Sequence, residues 1–339
     1  MSQEQARRFA RRIFSQTDLN VDRLLPVFAN SSIQSRYFCM PPDWFEENHA
    51  FADKNIIFLE KGMDLAERAI LEACRQAGVS PCDVGHIFFI TTTGISTPSM
   101  DAHLFNRLNL RPGIRRTPIW GLGCAGGIAG MIRAYDWLKA YPGEIALVVA
   151  LELCGLTFLR DDLSKSNFVA TALFGDGCGA LLMAGDDSEA TSRYMLSIES
   201  AAVVTWPDTL DIMGWEIAED GLKVVFSKSI PHIVTRSAGP AILEFLKKNG
   251  LHPSDVSYLL AHPGGAKIIE AYKQALGLQE AQVKNMRQVL GAYGNMSSAT
   301  ILFVFRDYLE TADYRKGDWV LSTALGPGFS SESMLARRL

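Results

Sequence analysis

Six cysteines, six histidines and a set of Gly-rich turns mark where this sequence of 339 residues could do covalent chemistry. The sharpest candidate is Cys124, in TPIWGLGCAGGIAG. The pattern predicts a strand ending near Trp120, a tight turn carrying the cysteine, and a helix starting just after it. Backbone amides at a helix N-terminus favour an anion. A cysteine held there is expected to have a lowered pKa, and the thiolate is the nucleophile. Glycines on both sides would let a thioester approach. Two other readings stand beside this one. Cys124 could be a small buried residue in a glycine turn. Alternatively, Gly121, Gly123 and Gly126 spell G-x-G-x-x-G, and Glu152, at the end of the next strand, could serve as the ribose-binding acid of a dinucleotide site.

Two residues in the second half of the chain could complete an acyl-transfer site. His262 ends a strand and enters Pro-Gly-Gly, a context that can aim a ring into a crevice. It could pair with a thiolate or donate to a developing oxyanion. Asn295 sits in GNMSS just before a helical pattern. Its amide can donate to an oxyanion, and Asn is equally an ordinary helix cap. Singly, each has a structural explanation. Together, Cys, His and Asn supply one nucleophile and two donors.

The elements that must position these residues come from a repeat. AILEACRQAGVSPCDV, from Ala69, and AILEFLKKNGLHPSDV, from Ala241, share eight identities without a gap at an offset of 172 residues. Each reads as a helix, a Gly stop, a Pro-Asp turn and a strand. GEIALVVAL, from Gly143, and GDWVLSTAL, from Gly317, form a second pair of buried strands. Between these landmarks lie GLGCAGGIAG in one half and GAYGNMSSAT in the other, so Cys124 and Asn295 occupy nearly equivalent turns. This is the pattern of a duplicated α/β unit whose strand-to-helix turns meet. The halves are expected at 1–184 and 194–339, joined by the acidic linker GDDSEATSR. The strand-like run MLSIESAAVV opens the second half. The first half opens on a helix, with a capping box from Ser2 and Gln5, so its own first strand is expected to be missing. Either the true start lies upstream, or this form is less stable than a longer one.

Composition narrows the setting. Hydrophobic residues make up 48%, charged residues 21%, and the net charge is −4, which favours neither nucleic acid nor an acidic membrane as partner. No apolar run approaches the ~18 residues of a transmembrane span. The sparse cysteines contain no Cys-x-x-Cys pair, which argues for a reducing cytoplasm and against a zinc site. Arg7, Arg8, Arg11 and Arg12 make one face of the first helix basic, read as a solvated face in preference to a transit peptide.

GLGCAGG, LFGDG, AHPGG, GNMSS and GPGFSSE resemble the signatures of type III polyketide synthases, the chalcone-synthase-like enzymes, from about Leu24 to the C-terminus. STPSMDA, LELCGLTF, SKSN and DIMGWEIAEDGLKVVFSKSIP are most similar to the bacterial long-chain alkylpyrone and alkylresorcinol synthases. The resemblance implies a thiolase-type αβαβα fold, a homodimer, no metal or organic cofactor, and CoA thioesters as substrates. By it, Cys124 is the acylated nucleophile, and His262 and Asn295 stabilise the enolate formed when malonyl-CoA loses carbon dioxide. Phe174 matches an aromatic gatekeeper. Val224 stands where plant members have a second gatekeeper phenylalanine, and Trp215 where they have a small cavity residue, so the gate is expected to be wide. Thr92, Thr97, Cys154, Thr157 and Ser297 are further cavity positions. Gly264, Gly265 and Arg23 match CoA contacts, but Pro26 and Asn30 replace two basic residues, so an acyl carrier protein could deliver the starter instead. Thr97 also replaces a methionine that crosses the plant dimer interface. The implied reaction is decarboxylative condensation of a long-chain fatty acyl-CoA with malonyl-CoA to alkylpyrones or alkylresorcinols. Alternatives are a fatty-acid initiating ketoacyl synthase, a dinucleotide-dependent oxidoreductase, and a catalytically silent dimer partner.

Overall fold

The computed structural model of the chain describes residues 1–16, 20–190, 195–227 and 229–339. Among the described residues, ten strands form two four-stranded sheets and one ribbon. In the first half, β1 (Val84–Ile90) lies parallel to β2 (Arg115–Ile119) and β3 (Ile145–Leu153), and β4 (Asp176–Ala184) runs antiparallel to β3. After β5 (Leu196–Thr205) comes the ribbon of β6 (Met213–Ala218) and β7 (Gly221–Phe226), which joins neither sheet. The second sheet places β8 (Val256–Ala261) parallel to β9 (Trp319–Gly326), then β10 (Ser330–Arg338), then β5.

The repeat is visible in local chemistry. In both copies a three-residue 3₁₀ turn precedes the strand, Pro81–Asp83 before β1 and Pro253–Asp255 before β8. The Asp83 carboxylate accepts from the Ser80 amide at 2.8 Å, and Asp255 accepts from the His252 amide at 2.7 Å. Proline presets the turn and the carboxylate satisfies an amide that would otherwise lack a partner.

β3 and β9 are central and buried on both faces, which fits their largely apolar sequences, broken by Glu152 in β3 and by Ser322 and Thr323 in β9. Phe88, Ile90, Val148 and Ala150 point into the core shared with the second half. Ile87, Phe89, Leu147 and Val149 point the other way, onto the helix Phe51–Ala77. This alternation is the period of two that a pleated strand imposes. The helices Gly126–Ala140 and Thr300–Thr311 each contact strands of both sheets. The layers are therefore helix, sheet, helix, sheet, helix, the thiolase-like α/β arrangement.

Outside this frame, the helix Gln3–Ile13 carries the expected capping box of Ser2 and Gln5 and buries Ala6, Phe9, Ala10 and Ile13. Its exposed Arg7, Arg11 and Arg12 pair with Glu4, Asp22 and Glu46. The edge of β10 is covered by β5, whereas no strand of the described residues lies along the outer edge of β4. Thr191–Arg193, at the end of the expected linker, and Tyr194 lie outside the described residues, as does Lys228 in SKSIP.

Candidate active site

Two equivalent turns meet between the halves. A 3₁₀ turn, Gly123–Ala125, feeds the helix Gly126–Ala140, and a 3₁₀ turn, Ser297–Ala299, feeds the helix Thr300–Thr311. Cys124 Sγ lies 3.7 Å from Ser297 Oγ, so the thiol of one half donates to the hydroxyl of the other. Ser297 adopts φ +47, a left-handed conformation costly for a side-chain-bearing residue and typical of constrained sites. The Ser297 amide donates to Asn295 Oδ1 at 2.8 Å, and Asn295 Nδ2 donates to the Gly264 carbonyl at 3.1 Å. Gly264 lies two residues after His262, at the end of β8. Asn295 also forms a lone bridge with Phe174, its amide donating to the Leu173 carbonyl and its carbonyl accepting from Gly175. One chain of contacts thus runs from the His262 turn through Asn295 and Ser297 to Cys124, with Phe174 beside it.

The donors are poised for an acceptor. Both ring nitrogens of His262 are buried without a partner among the described residues. Asn295 spends one amide hydrogen on Gly264 and has a second without a partner among the described residues. A buried polar group left unpaired costs about 1–3 kcal/mol, which a substrate oxygen accepting these hydrogens would recover. Burial lowers the His262 pKa to about 4, so the imidazole is neutral at pH 7. Burial pushes the Cys124 thiol up to about 12; the Ser297 hydroxyl opposes this and the Glu152 charge adds to it. The lowered pKa expected from the helix N-terminus is therefore not found, because the cost of an ion in this buried place outweighs it. Burial thus favours the uncharged form of both Cys124 and His262.

Gly121 has nothing within 4 Å of an added Cβ, whereas Gly123, Gly126 and Gly127 do not leave the room expected for a substrate. A Cβ at Gly123 would meet Pro327 Cδ at 2.6 Å, and one at Gly126 would meet Ile90 Cγ2 at 2.6 Å. A Cβ at Gly127 would strike Ile301 and the Ser298 carbonyl. Their absent side chains let the two halves close together. The dinucleotide reading fails for the same reason, and Glu152 removes it further. That carboxylate is 0% exposed and accepts from the Thr92 amide at 3.0 Å, Thr92 Oγ1 at 3.1 Å, Thr93 Oγ1 at 2.8 Å and Ser298 Oγ. It ties Thr92 and Thr93 of the first half to the turn of the second, with no lone pair left for a ribose.

Beside this chain of contacts lies a small apolar cavity. Phe174, Val224, Cys154 and Ala170 form a buried apolar cluster, with Trp215 and Phe226 packed on it. The Phe174 ring stands 6.2 Å from Trp215 and 5.5 Å from Phe226. Phe226 corrects the expectation of a single remaining gate ring. It lies two residues after Val224 on β7, on the same face by strand alternation, and fills part of the volume that valine gives up. That signal was present in VVF. A narrow cavity of ≈ 50 Å³ runs from Cys154, Thr157, Phe174 and Val224 to Ala6 and Phe9 of the first helix.

The other positions sit apart. Thr92 is engaged by Glu152 and Ser297 by Cys124, and neither lines that cavity. Thr97 is exposed on the loop before the helix Met100–Arg107. Arg23 is exposed on the helix Val21–Leu24. Gly265 precedes the helix Ala266–Leu276, next to Gly264. Sequence reasoning missed Arg36, a fully buried guanidinium that donates to the Phe174 and Thr171 carbonyls, both at 2.7 Å, and to Gln3 Oε1. Burial lowers its pKa to about 9. A buried cation gripping main chain leaves no trace in spacing.

Comparison with known proteins agrees with this architecture. Residues 21–187 match the N-terminal domain of chalcone and stilbene synthases, and residues 197–339 match their C-terminal domain. A protein of Bacillus subtilis (strain 168), provisionally described as a chalcone synthase, is 41% identical over 99% of this chain and 94% of its own length. The 1,3,6,8-tetrahydroxynaphthalene synthase of Streptomyces peucetius subsp. caesius is 34% identical over 92% of this chain and 82% of its own length. The solved 1,3,6,8-tetrahydroxynaphthalene synthase of Streptomyces coelicolor A3(2), described as a bacterial type III polyketide synthase, superposes with a TM-score of 0.94 at 26% identity, covering 100% of this chain and 95% of that one. Enzymes of this kind are acyltransferases that use CoA thioesters and need no cofactor. The chain belongs to the chalcone and stilbene synthase family and is a type III polyketide synthase.

Proposed function

We propose that the chain condenses a long-chain fatty acyl-CoA with malonyl-CoA to give alkylpyrones or alkylresorcinols, with Cys124 as nucleophile and His262 and Asn295 as donors. Neutral His262 takes the Cys124 proton as sulfur attacks the starter thioester. The carbon–sulfur bond to CoA breaks, and the departing thiolate takes that proton back. Malonyl-CoA then loses carbon dioxide; the electron pair of the broken carbon–carbon bond becomes an enolate. His262 and Asn295 donate to its oxygen, and one such donor is typically worth about 3 kcal/mol of barrier. The enolate carbon attacks the Cys124 thioester, expelling the cysteine sulfur, and the extended chain leaves on CoA. After two or three rounds the chain closes to a pyrone or, by aldol chemistry, to a resorcinol.

The observation that supports the long-chain part is the direction of the apolar lining, from Phe174 and Val224 towards Ala6 and Phe9 of the first helix, along which a long chain would have to widen the ≈ 50 Å³ space. An apolar tunnel rewards each buried methylene by roughly 0.8 kcal/mol. A second reading, a malonyl-primed synthase, is favoured by the Trp215 and Phe226 rings that narrow the gate, and by the relatives named as tetrahydroxynaphthalene synthases. Product masses separate the two. Long-chain acyl-CoA with malonyl-CoA should give alkylpyrones or alkylresorcinols; condensation products from malonyl-CoA alone, unchanged by added acyl-CoA, would overturn the long-chain reading. The reading extends to a homodimer, tested by solution mass, and to a cytoplasmic location, for which the six free cysteines speak.

A further inference from the structure

The β6–β7 ribbon belongs to neither sheet, and an isolated two-stranded ribbon is marginally stable in water. Yet it carries Trp215, Val224 and Phe226, the wall that faces Phe174. Something must hold it at a fixed distance from the opposite wall, the turn Cys154–Thr157. Lys54, on the helix Phe51–Ala77, is 5% exposed, and among the described residues it has no carboxylate at ion-pair distance, although the Asp220 charge acts on it from nearby. Its Nζ donates to the Asp220 carbonyl at the ribbon tip, at 2.9 Å, and to the Phe158 carbonyl just after the cavity turn, at 3.0 Å. A buried ammonium is costly unless its hydrogens are matched. Here one cation joins main chain from the two separate segments that bound the cavity. The next residue, Gly221, has φ +148, and a Cβ there would stand 3.2 Å from Leu159 and 3.6 Å from Lys54 Nζ, so the tip sits close against its anchor.

We propose that Lys54 is a positioning residue that sets the aperture of the acyl gate by pinning the β6–β7 tip to the turn carrying Cys154 and Thr157. This rests on starters crossing that gate, as the proposed function has it. Lys54 does not line the cavity and touches no member of the Cys124–Ser297–Asn295 chain. It acts on which starter is accepted, not on how malonyl-CoA is decarboxylated.

The test compares Lys54→Met, which keeps length and removes the donors, with Lys54→Arg, which keeps donors, and Gly221→Ala, which leaves Lys54 and displaces the tip. Specificity constants are measured for acyl-CoA starters of increasing length, alongside decarboxylation of malonyl-CoA alone. In Lys54→Met the discrimination between best and worst starters should fall about tenfold, carried by the starter KM, with decarboxylation unchanged. Lys54→Arg should restore most of it, and Gly221→Ala should shift the profile the same way. A wild-type profile in both Lys54→Met and Gly221→Ala, or decarboxylation lost in proportion to condensation, overturns the proposal. If Lys54→Met does not fold, the Gly221→Ala profile decides alone. A wild type with no preference for long starters sinks the long-chain reading, while Lys54 is still judged by whether these variants alter whatever profile exists.

Discussion

The two halves repeat one frame and put it to different uses. After β1 the first half runs through the helix Met100–Arg107 and β2 into the turn of Cys124. After β8 the second half has no strand in the place of β2 among the described residues. The helices Ala266–Leu276 and Glu280–Tyr293 stand there instead, and the chain enters its turn through Asn295. Released from its own sheet, Asn295 pairs with Phe174 of the other half. On the proposed assignment the first half presents a sulfur, and the second presents hydrogen-bond donors together with the ribbon that packs on Phe174. A duplicated scaffold brings two like turns face to face, and the loss of a strand frees one of them to take a different task.

The comparison breaks most completely if the nucleophile is removed. Cys124→Ala should abolish the acyl-enzyme while leaving malonyl-CoA decarboxylation, which needs only the donors of the second half. Intact mass after incubation with acyl-CoA reads the first outcome and carbon dioxide release the second; an acyl-enzyme surviving on another cysteine would end the assignment. The seam comes next. Gly127→Ala puts a methyl against Ile301 and the Ser298 carbonyl, and overpacking of this kind costs about 1–3 kcal/mol. Gly143→Ala, with nothing within 4 Å of the added carbon, should stay within about 0.5 kcal/mol. Melting temperatures should separate the two, and equal values would mean that the halves do not pack closely against each other at Gly127.

Much of this frame was legible in the sequence because duplication leaves aligned signals. The Pro-Asp turns, the paired strands and the two Gly-rich turns all came from side-chain types with local mechanisms. The equivalent placing of Cys124 and Asn295 on two like turns was legible for the same reason, and their sharing of a catalytic site with His262 stands as a proposal. What spacing could not show was who fills the space beside a glycine. Gly123, Gly126 and Gly127 read as room for a ligand, and Pro327, Ile90, Ile301 and Ser298 occupy it. Glu152 read as a ribose acid because its partners, Thr92, Thr93 and Ser298, lie far away in sequence. The pKa of Cys124 depends on burial by both halves, which no local motif reports. Lys54 and Arg36 grip carbonyls, and carbonyls carry no sequence signature.

The ribbon that only the second half carries gives a sharper, smaller effect. Val224→Phe adds a third ring beside Phe226 and Trp215 and should shift starter preference towards shorter chains by about tenfold in relative specificity. An unchanged preference across an acyl-CoA series would show that the gate does not select. The smallest effect is in acid stability. His262 has a folded pKa of about 4 against an ordinary value of 6.5, so the unfolded chain binds more protons between them. Its contribution to stability is complete above 6.5 and is lost as pH falls towards 4. His262→Gln should flatten that part of the stability profile, read by denaturant unfolding at successive pH values. An unaltered slope would mean that the imidazole is not held neutral.

The division of labour between the halves is tested most directly by Asn295→Ala, assayed for both half-reactions in one preparation. The account predicts that Cys124 is still acylated at nearly the wild-type rate while malonyl-CoA decarboxylation falls by about a hundredfold or more, the typical loss for one oxyanion donor. Loss of acyl loading with decarboxylation intact would contradict it.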